Sequence, residues 1–265
     1  MSRKSDLREP EIPAGLRREL AGYTFVRETI GRSGDGVFRL SKGRCAALVV
    51  KVSPVTAAQG RPSEADRLTW LKSVEVPVPR VLHEFRTDSE TWLVMECLPG
   101  ANAAVSTMSP TARIALVARA LRDLHELPAD ACPFDETLDV RIGRAQVRVR
   151  QGAVDERDFD SDNLGRSAMD LLADAIRLRP GAEDLVVTHG DATLPNMILD
   201  GRRISGFVDC GRAGRADRYQ DLALACRSMA VNLGQGAGRA FLGAYGLTSV
   251  DDRKLQYYRL MDEFS

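Results

Sequence analysis

The sequence predicts an α+β fold of two lobes: a β-rich amino-terminal lobe carrying one helix, and a larger, mostly helical carboxy-terminal lobe. Three observations carry this. Residues 23–51 alternate short apolar, β-branched runs with glycine-bearing turns, and a single helical stretch, SEADRLTWLK, follows them. The run Trp92 to Cys97 reads as a buried strand stopped by Pro99-Gly100, which marks a boundary between residues 1–96 and residues 97–265. Beyond it helical periodicity dominates, broken by one island of short β runs between 185 and 208.

The amino-terminal elements form a β-meander. The strand YTFVRETIG leads through the loop RSGDG to VFRL, then through the turn SKGR to CAALVVKV. In SEADRLTWLK, Ser63 is the expected N-cap, and Glu64 falls in the first turn, where an acid also complements the helix dipole. In the second lobe, Thr111 to Leu127 carries apolar residues at 114, 117, 121 and 124, one buried stripe of a helix. Helices are also expected over Ser167 to Leu178, Asp217 to Leu233, Gly238 to Tyr245 and about Val250 to Glu263.

The β island carries chemistry. Leu185 to Thr188 is a short apolar run broken by Gly190 and Pro195; Met197 to Leu199 is a second, and Asp200-Gly201 is a hairpin signal into Ile204 to Val208. This places Asp191, Asn196 and Asp209 around strand ends. Each alone has an ordinary explanation as turn, cap or solvated strand-end residue. Together, in this order and spacing, they match the parts with which protein kinases accept a hydroxyl proton and hold Mg²⁺ on nucleotide phosphates. His189 is read as shaping the loop, with no proton transfer assigned to it.

Lys51 completes the set. The chain has 5 lysines against 32 arginines, so a lysine ending the apolar run Ala46 to Val50 departs from its composition. A compact ammonium suits α- and β-phosphate oxygens, and Glu64 is its natural partner. Ser33 and Gly34, in the loop between the first two strands, could bring backbone N–H groups over phosphates, although the same residues also make an ordinary hairpin turn.

At this point the chain resembles the aminoglycoside 3′-phosphotransferases, the kanamycin and neomycin kinases, over essentially its whole length. The resemblance rests on SGDGVFRL, VVKV, EADRLTWL, VPVPRVL, WLVMECLPG, LRDLHELP, CPFDETLD, DLVVTHGDATLPN, SGFVDCGRAGRADRYQDLALA, FLGAYG and YYRLMDEF. It implies a protein-kinase-like fold and an ATP-dependent small-molecule kinase. Adenine would pair with main-chain groups near Glu96 and Leu98, Lys51 held by Glu64 would take the α/β-phosphates, and Asn196 and Asp209 would ligate Mg²⁺. Asp191 would accept or orient the 3′-hydroxyl, with Arg212 either stabilising phosphate charge or tying down the metal loop.

An aminoglycoside is a polycation, so acids should recognise it. The segment Asp155 to Asp162 carries five carboxylates in eight residues, and the chain ends Asp262-Glu263-Phe264-Ser265. Such a run is ordinarily a solvated face. The resemblance instead implies that Asp158, Asp160, Asp262, Glu263 and the terminal carboxylate of Ser265 line the substrate pocket. Relatives often carry acids where this chain has Ser228, Val231 and Asn232, and a Glu can replace Ser161. These departures bear on substrate range more than on chemistry.

Composition sets bounds. The formal net charge is zero, so no global field attracts nucleic acid, and no apolar run approaches the ~20 residues that cross a bilayer. The opening MSRKSDLREPEIP lacks the apolar core of a signal peptide, and five scattered cysteines without a CxxC pair read as free thiols; both predict a cytoplasmic protein. A monomer or weak dimer is expected. The rival readings are a kinase of another hydroxylated molecule, such as streptomycin at its 3″ position or a metabolite, and a non-catalytic nucleotide-binding module.

Overall fold

The computed structural model describes residues 10–28, 36–55 and 62–265. Five antiparallel strands form the amino-terminal sheet: β1 (Thr24–Arg27), β2 (Gly36–Ser41), β3 (Leu48–Pro54), β4 (Val81–Arg86) and β5 (Glu90–Glu96), ordered β1-β2-β3-β5-β4. Side chains alternate across a strand, and this alternation decides which residues face the cleft. Val50, Val52, Trp92 and Val94 join Phe38 and Leu40 on one face and close over Leu16 and Leu20 in a small core. Leu93 and Met95 take the opposite face and pack with Ala65, Leu68 and Leu71 of helix α1 (Glu64–Ser73). Lys51, between Val50 and Val52 and paired across the sheet with Leu93, therefore faces α1.

Helix α1 begins where Ser63 predicts. The Ser63 hydroxyl accepts the Asp66 N–H at 3.2 Å, and the Asp66 carboxylate accepts the Ser63 N–H at 2.7 Å, a reciprocal capping box. Between the lobes, the Phe207 N–H donates to Pro77 O at 2.8 Å.

The second lobe is built from α2 (Pro110–His125), α3 (Leu138–Arg150), α4 (Ala168–Arg177), α5 (Tyr219–Leu233), α6 (Ala237–Tyr245) and α7 (Asp252–Asp262). The expected α2 stripe of Ile114, Val117, Leu121 and Leu124 is buried. Helix α5 is enclosed along most of its length, with Tyr219 to Cys226 all buried. Among the described residues no helix is long and apolar enough to cross a membrane.

Two small sheets carry the β island. β6 (Ala101–Asn102), β8 (Met197–Asp200) and β9 (Arg203–Phe207) form one, in the order β6-β8-β9. β7 (Leu185–Thr188) pairs antiparallel with β10 (Gly214–Asp217) in the other. β4, β6, β10 and α3 were not anticipated. β9 also stops at Phe207, so Asp209 lies two residues beyond the strand rather than at its last position.

Candidate active site

Lys51 lies between two carboxylates from distant parts of the chain. Its Nζ is 2.9 Å from Glu64 Oε2 and 2.7 Å from Asp209 Oδ1. Burial alone lowers the proton affinity of the ammonium, but Glu64 and Asp209 outweigh it and hold the lysine charged, above its ordinary value. Glu64 uses its other oxygen, Oε1, to accept the Cys210 N–H at 3.0 Å, so one carboxylate fixes both the lysine and the loop after Asp209. Burial also pushes the Asp209 carboxyl up; Lys51 and then Arg212 reverse this and bring it below its usual value, an anion at neutral pH. Its backbone takes φ +58°, a left-handed conformation that costs an aspartate about 1 kcal/mol. The surrounding contacts hold that strain, and it aims the carboxylate back at the β3 lysine.

The loop after β7 is held from beneath. Gly190 has φ +84°, and a Cβ there would sit 2.2 Å from Arg212 O, so only glycine fits. The fully buried Asp221 of α5 accepts the His189 N–H at 2.7 Å and the Gly190 N–H at 2.8 Å. Gln220 donates to Gly190 O at 3.0 Å. The His189 ring bridges the Asp191 N–H, accepted on Nδ1 at 3.1 Å, and Val208 O, 3.0 Å from Nε2. This is the loop-shaping role expected of it.

Asn196 and Asp209 fit a metal carried on phosphates. The Asn196 amide nitrogen donates to Asp191 O at 3.0 Å, leaving the Asn196 carbonyl oxygen out of that contact. Asp209 Oδ2 has no protein donor among the described residues. Two oxygen donors suit Mg²⁺, which takes few protein ligands and completes its shell with phosphate and water. Consistent with that division, no cluster of three or more His, Cys, Asp or Glu among the described residues could hold a metal by itself.

The acids expected to meet the substrate arrive with arginine partners. Arg212 bridges Asp191 (Nη2–Oδ2, 2.8 Å) and Asp262 (Nη1–Oδ1, 3.0 Å). Burial disfavours its charge, but Asp191 and Asp262 overcome this and raise it. Both roles foreseen for Arg212 are open in this geometry, since it touches the candidate base and also ties it to the carboxy-terminal helix. Arg227 bridges Asp262 Oδ2 at 2.6 Å and Asp160. Glu263 is turned inward, accepting the Asp160 N–H at 3.1 Å and Asn163 Nδ2 at 2.6 Å. Ser265 O accepts from Arg148 at 3.2 Å. Asp158 is exposed, and its carboxylate makes no hydrogen bond among the described residues.

Three further expectations are refined. The Glu96 N–H is spent on Arg80 O at 3.0 Å, so at Glu96 only the carbonyl is left for an adenine edge; no such partner takes the Leu98 N–H among the described residues. Ser228 does not line an open pocket: it is buried and accepts the Leu194 N–H at 2.9 Å, bracing the segment that carries Asn196. Ser33 and Gly34 lie outside the described residues. Sequence reasoning missed Asp221, Arg227 and Arg148. An acid within the apolar QDLALA stretch of a helix was the available signal for Asp221; the arginines had none, among 32 of their kind.

Residues 28–263 match the model of a phosphotransferase enzyme family. An aminoglycoside 3′-phosphotransferase of Streptomyces ribosidificus is 41% identical over 261 residues, spanning 94% of this chain and 98% of the relative. Among solved structures, an aminoglycoside-3′-phosphotransferase of type VIII superposes with a TM-score of 0.86 at 40% identity, covering 95% of this chain and 97% of that one. An aminoglycoside phosphotransferase of Streptomyces rimosus, solved with ADP and streptomycin, superposes at 0.81 with 30% identity, covering 94% and 95%.

Proposed function

The chain belongs to the phosphotransferase enzyme family, and from that premise we propose that it transfers the γ-phosphate of ATP to the 3′-hydroxyl of aminoglycosides such as kanamycin or neomycin, conferring resistance. The observation that carries the reading is the convergence of Lys51, Glu64 and Asp209, drawn from both lobes, beside an anchored loop bearing Asp191. A non-catalytic nucleotide binder has no need of the second half of that set.

The adenine edge meets the Glu96 carbonyl and the Leu98 N–H. Lys51, kept charged by its two carboxylates, pairs with the α/β-phosphates. Asn196 and Asp209 would hold Mg²⁺, which would supply positive charge against the phosphates. Asp191 orients the acceptor hydroxyl and takes its proton as the oxygen attacks phosphorus in line. Phosphoryl transfer has a loose transition state, so placement and neutralisation supply most of the acceleration and base strength little. Arg212, 2.8 Å from Asp191, restrains that carboxylate.

The polycationic acceptor is received by Asp158, Asp160, Asp262, Glu263 and the terminal carboxylate. Its ammonium groups compete with Arg227 and Arg148 for several of these. The enzyme works in the cytoplasm, where ATP is available, as a monomer or weak dimer.

Purified protein with Mg·ATP, offered kanamycin, neomycin, streptomycin and the 3′-deoxy aminoglycoside tobramycin, tests this. Kanamycin should be phosphorylated at the 3′ oxygen, as located by NMR, and tobramycin spared, because it keeps amines for binding but lacks the nucleophilic hydroxyl. Phosphorylated streptomycin with untouched kanamycin would move the assignment to a 3″ kinase.

A further inference from the structure

The carboxylate that anchors the Asp191 loop is itself held by a chain of side chains that the reaction does not use. His125, at the end of α2, places Nε2 at 3.0 Å from Asp221 Oδ2 and Nδ1 at 2.8 Å from the Tyr245 hydroxyl on α6. Arg218 donates Nη1–H to that hydroxyl at 3.0 Å and pairs outward with Asp184. The His125 and Asp221 side chains are 1% and 0% exposed.

The chain has a direction. A guanidinium can only donate, so Tyr245 accepts from Arg218 and its own proton must point elsewhere. The partner in reach is His125 Nδ1, which is then the acceptor nitrogen. Nε2 therefore carries the imidazole proton and donates it to Asp221. Asp221 thus receives three donors: this N–H and the main-chain N–H groups of His189 and Gly190. Removing any one leaves a buried anion under-satisfied. The anion's readiest relief is to shift, and its two other ligands are the backbone immediately before Asp191.

We infer that His125 is a positioning residue for phosphoryl transfer: through Asp221 it sets the backbone of residues 189–190, and with it the place of the Asp191 carboxylate. Tyr245 and Arg218 act behind it by fixing the ring's tautomer and orientation. The inference rests on the proposed role of Asp191, and it also makes a claim about the loop that needs no activity to test.

The experiment compares His125→Gln, His125→Asn, His125→Phe and Tyr245→Phe with Leu242→Ala, a core truncation on α6 outside the chain. The glutamine Nε2 reaches the position of the imidazole Nε2 and can still donate to Asp221, whereas the shorter asparagine cannot. We expect His125→Phe and His125→Asn to lower kcat about 10- to 100-fold, with KM for both substrates within about two-fold. His125→Gln should recover most of the loss, and Tyr245→Phe should fall between. Leu242→Ala should keep kcat well below its melting temperature despite an equal or larger loss of stability. Amide hydrogen exchange should quicken at residues 189–190 in the asparagine and phenylalanine variants ahead of the rest of the chain.

Equal kcat for the glutamine and asparagine variants, or losses that track melting temperature through Leu242→Ala, would overturn the inference. If wild type phosphorylates no aminoglycoside, the functional reading fails, and exchange at residues 189–190 still decides this one. Should His125→Phe not fold, the glutamine and asparagine pair carries the comparison.

Discussion

Replacing Asp262 with asparagine removes one charge from between two arginines. The Asp262 side chain is 15% exposed and accepts from Arg212 at 3.0 Å and from Arg227 at 2.6 Å. An amide can accept from one guanidinium but must turn an NH₂ toward the other, and the two cations lose their shared counter-ion. Breaking a buried pair costs about 3–5 kcal/mol; since Arg212 keeps Asp191 and Arg227 keeps Asp160, about 2–3 kcal/mol is the better figure here. For a chain of this size that lowers the melting temperature by roughly 4–12 °C. Burial pushes the Asp262 carboxyl up, but Arg212 and Arg227 outweigh it and hold the group below its usual value. Its contribution is therefore fully present above the unfolded aspartate pKa of about 3.9, and is lost as pH falls through the lower folded value. Thermal unfolding of both proteins at a series of pH values should show the full gap at pH 7 and a narrowing gap below about pH 4. Equal melting temperatures at pH 7, or a gap that persists undiminished into acid, would refute the argument.

Asp191→Ala should leave nucleotide affinity nearly intact and lower turnover by about two orders of magnitude or more, because hydroxyl placement and proton acceptance are lost together; calorimetric ATP titration beside steady-state kinetics checks it. Asp209→Asn should abolish transfer at ordinary magnesium, since an amide replaces neither the metal-facing charge nor the 2.7 Å contact to Lys51. Retained turnover would make Asp209 structural. Deleting residues 262–265 should raise KM for kanamycin about ten-fold or more, with about 1.4 kcal/mol of cation pairing lost. It should also cost more stability than Asp262→Asn, because Phe264 is buried; an unchanged KM would remove these acids from substrate recognition.

The β-rich lobe is legible in the sequence because its strands are short apolar, β-branched runs and its turns carry glycine, and α1 is legible from its cap. Helix α3 escapes a periodicity reading. Its buried stripe is only Leu138, Ile142 and Ala145, interrupted by Gly143 and flanked by the VRVR stretch, which imitates a polar strand. Its arginines go instead to specific partners, as Arg144 does to Glu136. β10 escapes for the opposite reason: Gly-Arg-Ala-Asp has no alternation, and pairing with β7 alone makes it a strand. At the candidate site, Asp191, Asn196, Asp209, Lys51 and Glu64 are legible because the nucleotide chemistry proposed for them constrains residue type and order together. The arginine partners of the acids proposed to face the substrate are invisible, since an ion pair between residues 227 and 160 leaves no local pattern.

Those pairs also explain how the lysine–glutamate contact is built. Helix α1 belongs to the small lobe by sequence, yet its apolar residues join the large lobe's core, whereas the outer face of the sheet closes over a separate one. Arg67, 2% exposed on α1, donates to Ala213 O just past Arg212 and pairs with Glu136 at 2.8 Å. Its guanidinium also stacks 4.9 Å from the Phe134 ring. Glu64 stands one turn before Arg67 on the same helix and accepts the Cys210 N–H. Two side chains of α1 thus grip the segment 210–213 from either end, and Asp209 and Arg212 lie within or beside that grip. The carboxylate that pairs with Lys51 is placed by the large lobe, so Lys51 and the loop bearing Asp209 are set in register by one helix.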